Sequence, residues 1–167
     1  GIFTDEPHHG GVMSGFALAN PNSYYLTPCP KDLFKLFKER WGYDLKDYLP
    51  ELYLFKDGEP LSKVKWDYME LLTSLFVQNF LMPIRKWCQE NGMVLTGHLL
   101  HEDNLSAQTN LNGSMLRGYE HMDYPGVDVL WEKNPDYNIA KQLQSAGRQL
   151  DKPWLLSELY GCTGWQM

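Results

Sequence analysis

"LLSELYG", residues 155–161, decides the fold that the sequence predicts, because an apolar run carries a carboxylate near its far end. The two leucines at its start are typical of a buried strand, and Glu158 follows them closely. Burying a charge alone is costly, so a carboxylate in this position needs a partner or an open cavity. "GIFTDEP", residues 1–7, places Glu6 at the end of a similar run.

Strand and helix patterns alternate along the chain. Short apolar runs predict strands at 1–7, 93–100, 126–130 and 154–161. Runs that are apolar throughout are typical of strands in parallel sheets, whose outer face is covered by helices. Helices between the strands predict consecutive right-handed βαβ units. A doubly wound sheet and part of a (β/α)8 barrel both fit, and no glycine-rich phosphate motif follows any strand.

The helices are predicted from apolar residues at helical spacing. One covers 33–41, and a long one begins at Ser62, ends at Asn91 and is expected to kink at Pro83. "GYDLKDYLPEL" indicates a short helical turn broken at Pro50. Further helices are predicted within 103–122 and from Asn134 onward.

Composition and charge limit the classes of function. The 167 residues suffice for one domain with a core, which we predict to be a single partial catalytic domain over 1–167. The net charge of −6 and the lack of basic runs argue against nucleic-acid or anionic-membrane partners. No apolar stretch reaches membrane-spanning length. Three widely spaced cysteines match neither a disulfide framework nor a zinc motif. The chain begins within a predicted strand, so we expect a fragment of a longer protein.

Polar residues cluster at the carboxyl ends of the predicted strands. In a barrel these ends open on one face, which carries the chemistry. Trp165, beyond the last strand, is either a sugar platform or a packing residue. The other residues of this set are Asp5, Glu6, His98, His101, Glu102, Asp123, Asp128, Ser157 and Glu158.

Three chemistries compete for these groups. Glu6 and Glu158 offer the paired carboxylates of glycoside hydrolysis, one protonated and one ionised. "HLLHE", residues 98–102, offers two histidines and a glutamate for a metal, but lacks the histidine spacing of the zinc helix motif; calcium is as plausible as zinc. Ser157 lacks the G-x-S-x-G surroundings of a nucleophilic serine.

"TDEP", residues 4–7, resembles the "NEP" that closes the fourth barrel strand in many clan A glycoside hydrolases. A second glutamate closes the seventh strand in that clan. The resemblance implies that Glu6 is the acid/base and Glu158 the nucleophile or base. Asp5 stands where the clan has an asparagine that helps to position the sugar 2-hydroxyl, so this chain departs from the pattern there.

A longer likeness covers most of the chain. "ERWGYDLKDYLPEL", "WCQENGMVLTGHLLHE", "PGVDVL" and "LLSELYGCTGW" resemble the catalytic region of large bacterial glycosidases related to the family 106 α-L-rhamnosidases. That family is inverting and calcium-assisted, whereas the clan A likeness implies retention. The resemblance implies an α/β fold comprising strands four to seven of a (β/α)8 TIM barrel. A half-barrel leaves strand edges unpaired, so it implies self-association or contact with the remainder of the barrel.

The sequence therefore predicts part of a glycoside hydrolase that acts on a plant or bacterial glycan. Glu6 and Glu158 are the expected catalytic carboxylates, and no cofactor is expected apart from possible calcium. Two alternatives remain: a non-catalytic carbohydrate-binding barrel, and a metal-dependent hydrolase built on His98 and His101. The residues expected to bind or orient the sugar are Asp5, His98, Glu102, Asp128, Tyr160 and Trp165.

Overall fold

The computed structural model describes residues 1–10, 27–54, 61–130, 137–159 and 161, and these form a parallel sheet with helices. The four strands are hydrogen-bonded in the order in which they occur along the chain. The predicted mixed α/β class with a parallel sheet is confirmed. The strands are β1 (Ile2–Thr4), β2 (Leu95–Gly97), β3 (Tyr124–Val129) and β4 (Leu156–Leu159).

Seven α-helices lie between the strands of the described residues. The predicted helix over 33–41 is confirmed, and Ser62 caps the third helix by accepting a hydrogen bond from the Lys65 amide. The weak pattern in 103–122 gives two short helices, and the predicted start at Asn134 lies outside the described residues. The helices are α1 (Leu33–Trp41), α2 (Leu49–Tyr53), α3 (Lys63–Phe76), α4 (Met82–Glu90), α5 (Leu105–Leu111), α6 (Met115–Glu120) and α7 (Tyr137–Gln149).

Two prolines lie at the starts of helices. The predicted short helical turn is a 3-10 turn, Leu45–Tyr48, and Pro50 lies in the first turn of α2, which follows at once; its missing N–H has no helical partner there in any case. Pro83 likewise lies in the first turn of α4. A π-helical turn, Val77–Leu81, precedes it and joins α3 to α4 without a gap. This wider turn, rather than a simple kink, is where the hydrogen-bond pattern changes ahead of the proline.

The strand predictions need correction in extent and in burial. The first strand is three residues long rather than seven, and β3 begins two residues before the predicted start at Gly126. The prediction of a buried fourth strand is wrong: Leu155 is 42% exposed and Leu159 54%. β4 lies at the edge of the sheet and pairs with β3 alone among the described strands, so one flank lacks a covering strand. The apolar sequence predicted the strand correctly, but it did not predict the exposure of these side chains.

The two faces of the sheet differ. Successive side chains along a strand alternate between faces. Val127 and Val129 of β3 pack with side chains of α3, α6 and α7 in one core cluster. The other face, called the open face here, has an exposed Phe3 and a half-buried Thr96, Tyr124 and Leu156. By the same alternation, Asp5, His98, Asp128 and Glu158 lie on the open face.

A second core cluster is formed by α1, α2 and α3, with Phe37 and Tyr68 fully buried in it. The Glu70 carboxylate of α3 connects this cluster to the sheet region, accepting hydrogen bonds from Arg40 of α1 and Arg117 of α6 at 2.8 and 2.7 Å. None of the helices in the described ranges combines the length and apolar character that crossing a membrane requires.

Asp123 belongs to the amino end of the sheet, opposite the candidate site. Its Oδ2 accepts a hydrogen bond from the Leu95 amide at 2.8 Å, and its Oδ1 lies 3.3 Å from Nε of Arg85. We expect Asp123→Ala to lower the free energy of unfolding by about 1–3 kcal/mol, because the Leu95 amide loses its acceptor. Urea denaturation of both proteins measures this, and a change below about 0.5 kcal/mol, the usual size of a surface substitution, would contradict it.

Candidate functional site

His98 is the centre of the candidate site. It follows β2 directly and its side chain is fully buried. Its Nε2 lies 3.0 Å from Oε2 of Glu158 and 3.4 Å from Oδ1 of Asp5. The direction of this hydrogen bond depends on the ring tautomer, and the tautomer with its proton on Nε2 donates to the carboxylate. The two carboxylates are 46% and 75% exposed, so the buried imidazole meets them at the border with solvent.

Gly126 lies on the strand between those that carry His98 and Glu158. Gly97 pairs with Pro125, so extending that register by one residue places His98 beside Gly126 on β3. Gly126 in turn pairs with Leu156, two residues before Glu158 on β4. A Cβ atom at Gly126 would lie 2.8 Å from the Gly97 carbonyl oxygen and 2.9 Å from a methyl of Leu156. The missing side chain on the middle strand therefore allows the Gly97 carbonyl and the Leu156 side chain to approach it closely.

Asp128 links the histidine to the remaining carboxylates. It is the register partner of Glu158, so both side chains point to the open face. Burial raises the pKa of Asp128; His98 opposes this rise, while the charges of Glu158, Glu6 and Asp5 add to it. Its Oδ1 is buried and has no hydrogen-bond partner among the described residues. Four carboxylates and one imidazole therefore share the carboxyl end of the sheet.

Glu102 is 5% exposed, and both of its oxygens accept backbone hydrogen bonds. Oε1 accepts from the Leu99 amide at 3.1 Å and Oε2 from the Asp128 amide at 2.9 Å. Burial raises the pKa of Glu102 to about 7, against the opposing effects of these hydrogen bonds and of His98. Both carboxylate oxygens already accept backbone hydrogen bonds in the fold. The expected contact between Glu102 and a sugar stays a prediction.

A cleft of about 290 Å³ opens beside these groups. Glu6 contributes to it from the end of β1, in the left-handed backbone region at φ 48°, which glutamate rarely adopts. His101 has a similar left-handed φ of 56°. Such conformations cluster at functional sites. The lining residues are Glu6, Leu99, Leu100, His101, Glu102, Asp103, Asp128, Val129 and Leu130.

The structure brings together most of the predicted site residues. Asp5, Glu6, His98, Asp128 and Glu158 share one end of the sheet, as the carboxyl-end argument expects. Tyr160 and Trp165 lie outside the described residues.

Gly126 and Leu99 were missed at the sequence level. An isolated glycine inside the strand pattern "PGVDVL" was the available signal, because it often marks a close approach of neighbouring backbone. No comparable signal marks Leu99, whose contribution to the site is a backbone amide.

One group of side chains at the site could hold a metal ion. Asp5, His98 and Glu158 offer one ligand atom each, all within 4.8 Å of one another, and His101 is not part of this group. Calcium takes six to eight oxygen ligands, whereas this group offers two carboxylates and an imidazole nitrogen. A nitrogen donor suits zinc or another transition ion better. This trio alone does not fit calcium.

The raised pKa of Glu102 predicts a dependence of stability on pH. The pKa is about 7 in the fold against an ordinary 4.5, so the folded protein binds more protons between these values. The stabilising contribution is then complete below pH 4.5 and is lost as the pH rises through 7, by an amount on the order of 3 kcal/mol. Urea denaturation between pH 4 and 8 should show this slope in the wild type, and Glu102→Gln should flatten it. An exposed carboxylate supplies the control: Glu90→Gln should retain the slope, and an unchanged slope in Glu102→Gln would contradict the prediction.

Comparison with known proteins gives one structural likeness. No family model matches the chain, and no curated protein matches it in sequence. Among solved structures, the rhamnosidase from Novosphingobium sp. PP1Y is similar, with a TM-score of 0.50 and 23% identity. The likeness covers 73% of this chain and 11% of the rhamnosidase chain. At this identity it shows a shared fold, and the chain corresponds to a small part of that enzyme's length.

Proposed function

We propose that this chain is part of the catalytic domain of a (β/α)8-barrel glycoside hydrolase. The observation that carries the proposal is the meeting of Asp5, His98, Asp128 and Glu158 on the open face, at the carboxyl ends of parallel strands. In barrel enzymes this end of the sheet carries the active site. The fold shared with a rhamnosidase supports the same class of activity.

The strand order supports a barrel over a doubly wound sheet. Doubly wound sheets reverse their strand order and carry helices on both faces. Here the order is sequential, and right-handed crossovers then place every connecting helix on one face. The open face, with its exposed Phe3 and half-buried Leu156, is the face that would line a barrel interior. Further strands pairing with β1 and β4 would complete it, from a longer chain or from a second copy.

The proposed chemistry uses two carboxylates. Glu158 acts as the nucleophile or the base, and the contact of its Oε2 with Nε2 of His98 at 3.0 Å orients the carboxyl group. Glu6, which lines the cleft, acts as the acid that protonates the leaving oxygen. Asp5 and Asp128 hydrogen-bond the sugar hydroxyls. Sugar rings bind well at a site of this kind, where several carboxylates accept hydrogen bonds from hydroxyl groups.

Turnover of aryl glycosides by the full-length protein tests the proposal, beginning with α-L-rhamnosides because the structural neighbour is a rhamnosidase. Release of the aryl alcohol supports a hydrolase, and proton NMR of the first-formed sugar anomer gives the stereochemistry. A retaining enzyme needs its two carboxyl groups about 5 Å apart, and an inverting one about 6.5–9.5 Å. Sugar binding by calorimetry without turnover of any glycoside tested would replace the proposal with a carbohydrate-binding barrel.

A further inference from the structure

Glu102 is separate from the proposed catalytic pair, yet it connects the two strands that carry the pair's neighbours. Its carboxylate accepts hydrogen bonds from the amide after His98 and from the amide of Asp128. We propose that Glu102 is a positioning residue, whose bridge between the ends of β2 and β3 holds His98 against Glu158. This inference rests on the proposed function of the site.

The bridge begins where the regular strand pairing ends. The last paired residues of β2 and β3 are Gly97 and Pro125. Beyond them, the amides of Leu99 and Asp128 are both donors and cannot satisfy each other. A carboxylate offers two acceptor oxygens and joins both amides at 3.1 and 2.9 Å. It therefore continues the connection between the strands past the end of the backbone ladder.

Each of the two amides that bond Glu102 belongs to a backbone segment that positions a residue of the site. The Leu99 amide directly follows His98, so holding it restrains the backbone that carries the imidazole. The other amide belongs to Asp128, the register partner of Glu158. The same carboxylate thus fixes one strand end that presents the imidazole and another that lies beside Glu158. A purely structural bridge elsewhere on the sheet would not link these two groups.

The backbone of Glu102 is itself held by a side chain of a neighbouring helix. Its carbonyl oxygen accepts a hydrogen bond from the side-chain amide of Gln108 on α5. Gln108 and Gln142 of α7 exchange two further amide hydrogen bonds, at 3.0 and 3.1 Å. Because the carboxylate is 5% exposed, water competes little for its oxygens. The titratable groups that face it are His98, Asp128 and Tyr119. Burial and the charge of Glu102 raise the pKa of Tyr119.

Glu102→Gln tests the inference because it preserves size while replacing one acceptor oxygen with a donor. One of the two amides then loses its partner. In the folded variant we expect faster hydrogen exchange at Leu99 or Asp128 and shifted ring nitrogen signals of His98. In the full-length protein we expect kcat to fall up to about 100-fold, as a small misplacement of catalytic groups can cause, with KM changed less than about threefold. Glu90→Gln, an exposed carboxylate on α4, is the matched control and should change none of these quantities.

Unchanged His98 signals and kcat in a folded Glu102→Gln protein would overturn the inference and leave Glu102 a structural residue. If the wild type hydrolyses no glycoside, the proposed function fails separately, and the NMR comparison still decides whether Glu102 positions His98. If the variant does not fold, a pH titration of the wild type decides. The Leu99 and Asp128 amides should then shift together with a midpoint near 7 as Glu102 titrates between them, and independent titration of the two amides would overturn the bridge.

Discussion

Glu158→Gln should lower kcat of the full-length protein by about 10²–10⁴-fold, the range that a positioned acid or base contributes. The substitution keeps the size of the side chain, and the amide oxygen still accepts the hydrogen bond from His98, so the contact at 3.0 Å can persist. What is lost is the negative charge needed to attack the sugar or to activate water. Because this charge acts mainly in the transition state, KM should change little. Steady-state kinetics with an aryl glycoside measures both parameters.

The matched control is Glu39→Gln, an exposed carboxylate on α1 that lies 3.9 Å from Lys35. Its kcat should stay within about twofold of the wild type, as expected for a surface charge remote from the site. A Glu158→Gln enzyme that retains a third or more of its activity would remove Glu158 from the catalytic pair. Restoration of Glu158→Ala by a small anion such as azide would support the assignment, because the anion can occupy the space of the carboxylate and supply its charge.

Gly97→Ala is expected to have the largest effect on stability, lowering the free energy of unfolding by about 2–6 kcal/mol. Gly97 has φ 144°, a region that residues with side chains rarely adopt, and this strain alone costs about 1–3 kcal/mol. An added Cβ would lie 2.2 Å from the Thr4 carbonyl oxygen and 2.8 Å from its amide nitrogen. Overpacking of this kind costs about 1–3 kcal/mol more. Both neighbouring atoms are backbone, so relief requires β1 to move.

Gly92→Ala separates the two causes. Gly92 also has a positive φ, 64°, but an added Cβ would meet nothing within 4 Å. Its cost should be the conformational part alone, about 1–2 kcal/mol. Guanidinium denaturation of the two variants gives the difference. Equal losses at both positions would show that the close approach of β1 and β2 contributes nothing, contrary to the register between Thr4 and Gly97.

The general fold followed from local patterns, whereas the finer features depended on contacts between distant segments. Apolar runs ending in polar residues sufficed to place His98 and Glu158 at one end of a parallel sheet, since both features can be read within ten residues. The exposure of Leu159 could not be predicted, because burial of an edge strand depends on what pairs with it. The π-helical turn before Pro83 was equally hidden, as a proline signals disruption but not its form.

The role of Glu102 illustrates the limit most clearly. In the sequence it follows His101 at a predicted strand end, where a carboxylate is expected to face substrate. In the structure the left-handed conformation of His101 lies directly before it, and Glu102 is buried among backbone amides. Nothing in "HLLHE" distinguishes an inward from an outward carboxylate. The partners at Leu99 and Asp128 become visible only when the two strands are placed side by side.

The contact between His98 and Glu158 across β3 has a mechanical consequence. Because His98 and Glu158 belong to strands that are not adjacent, their separation adds the coiling of two strand pairs instead of one. A rotation of β4 against β3 therefore changes the distance between Nε2 of His98 and Oε2 of Glu158, so this hydrogen bond depends on the twist of the sheet. Strands that pair with β1 and β4 would help to set that twist. Segments that do not touch Glu158 would thus influence its contact with His98.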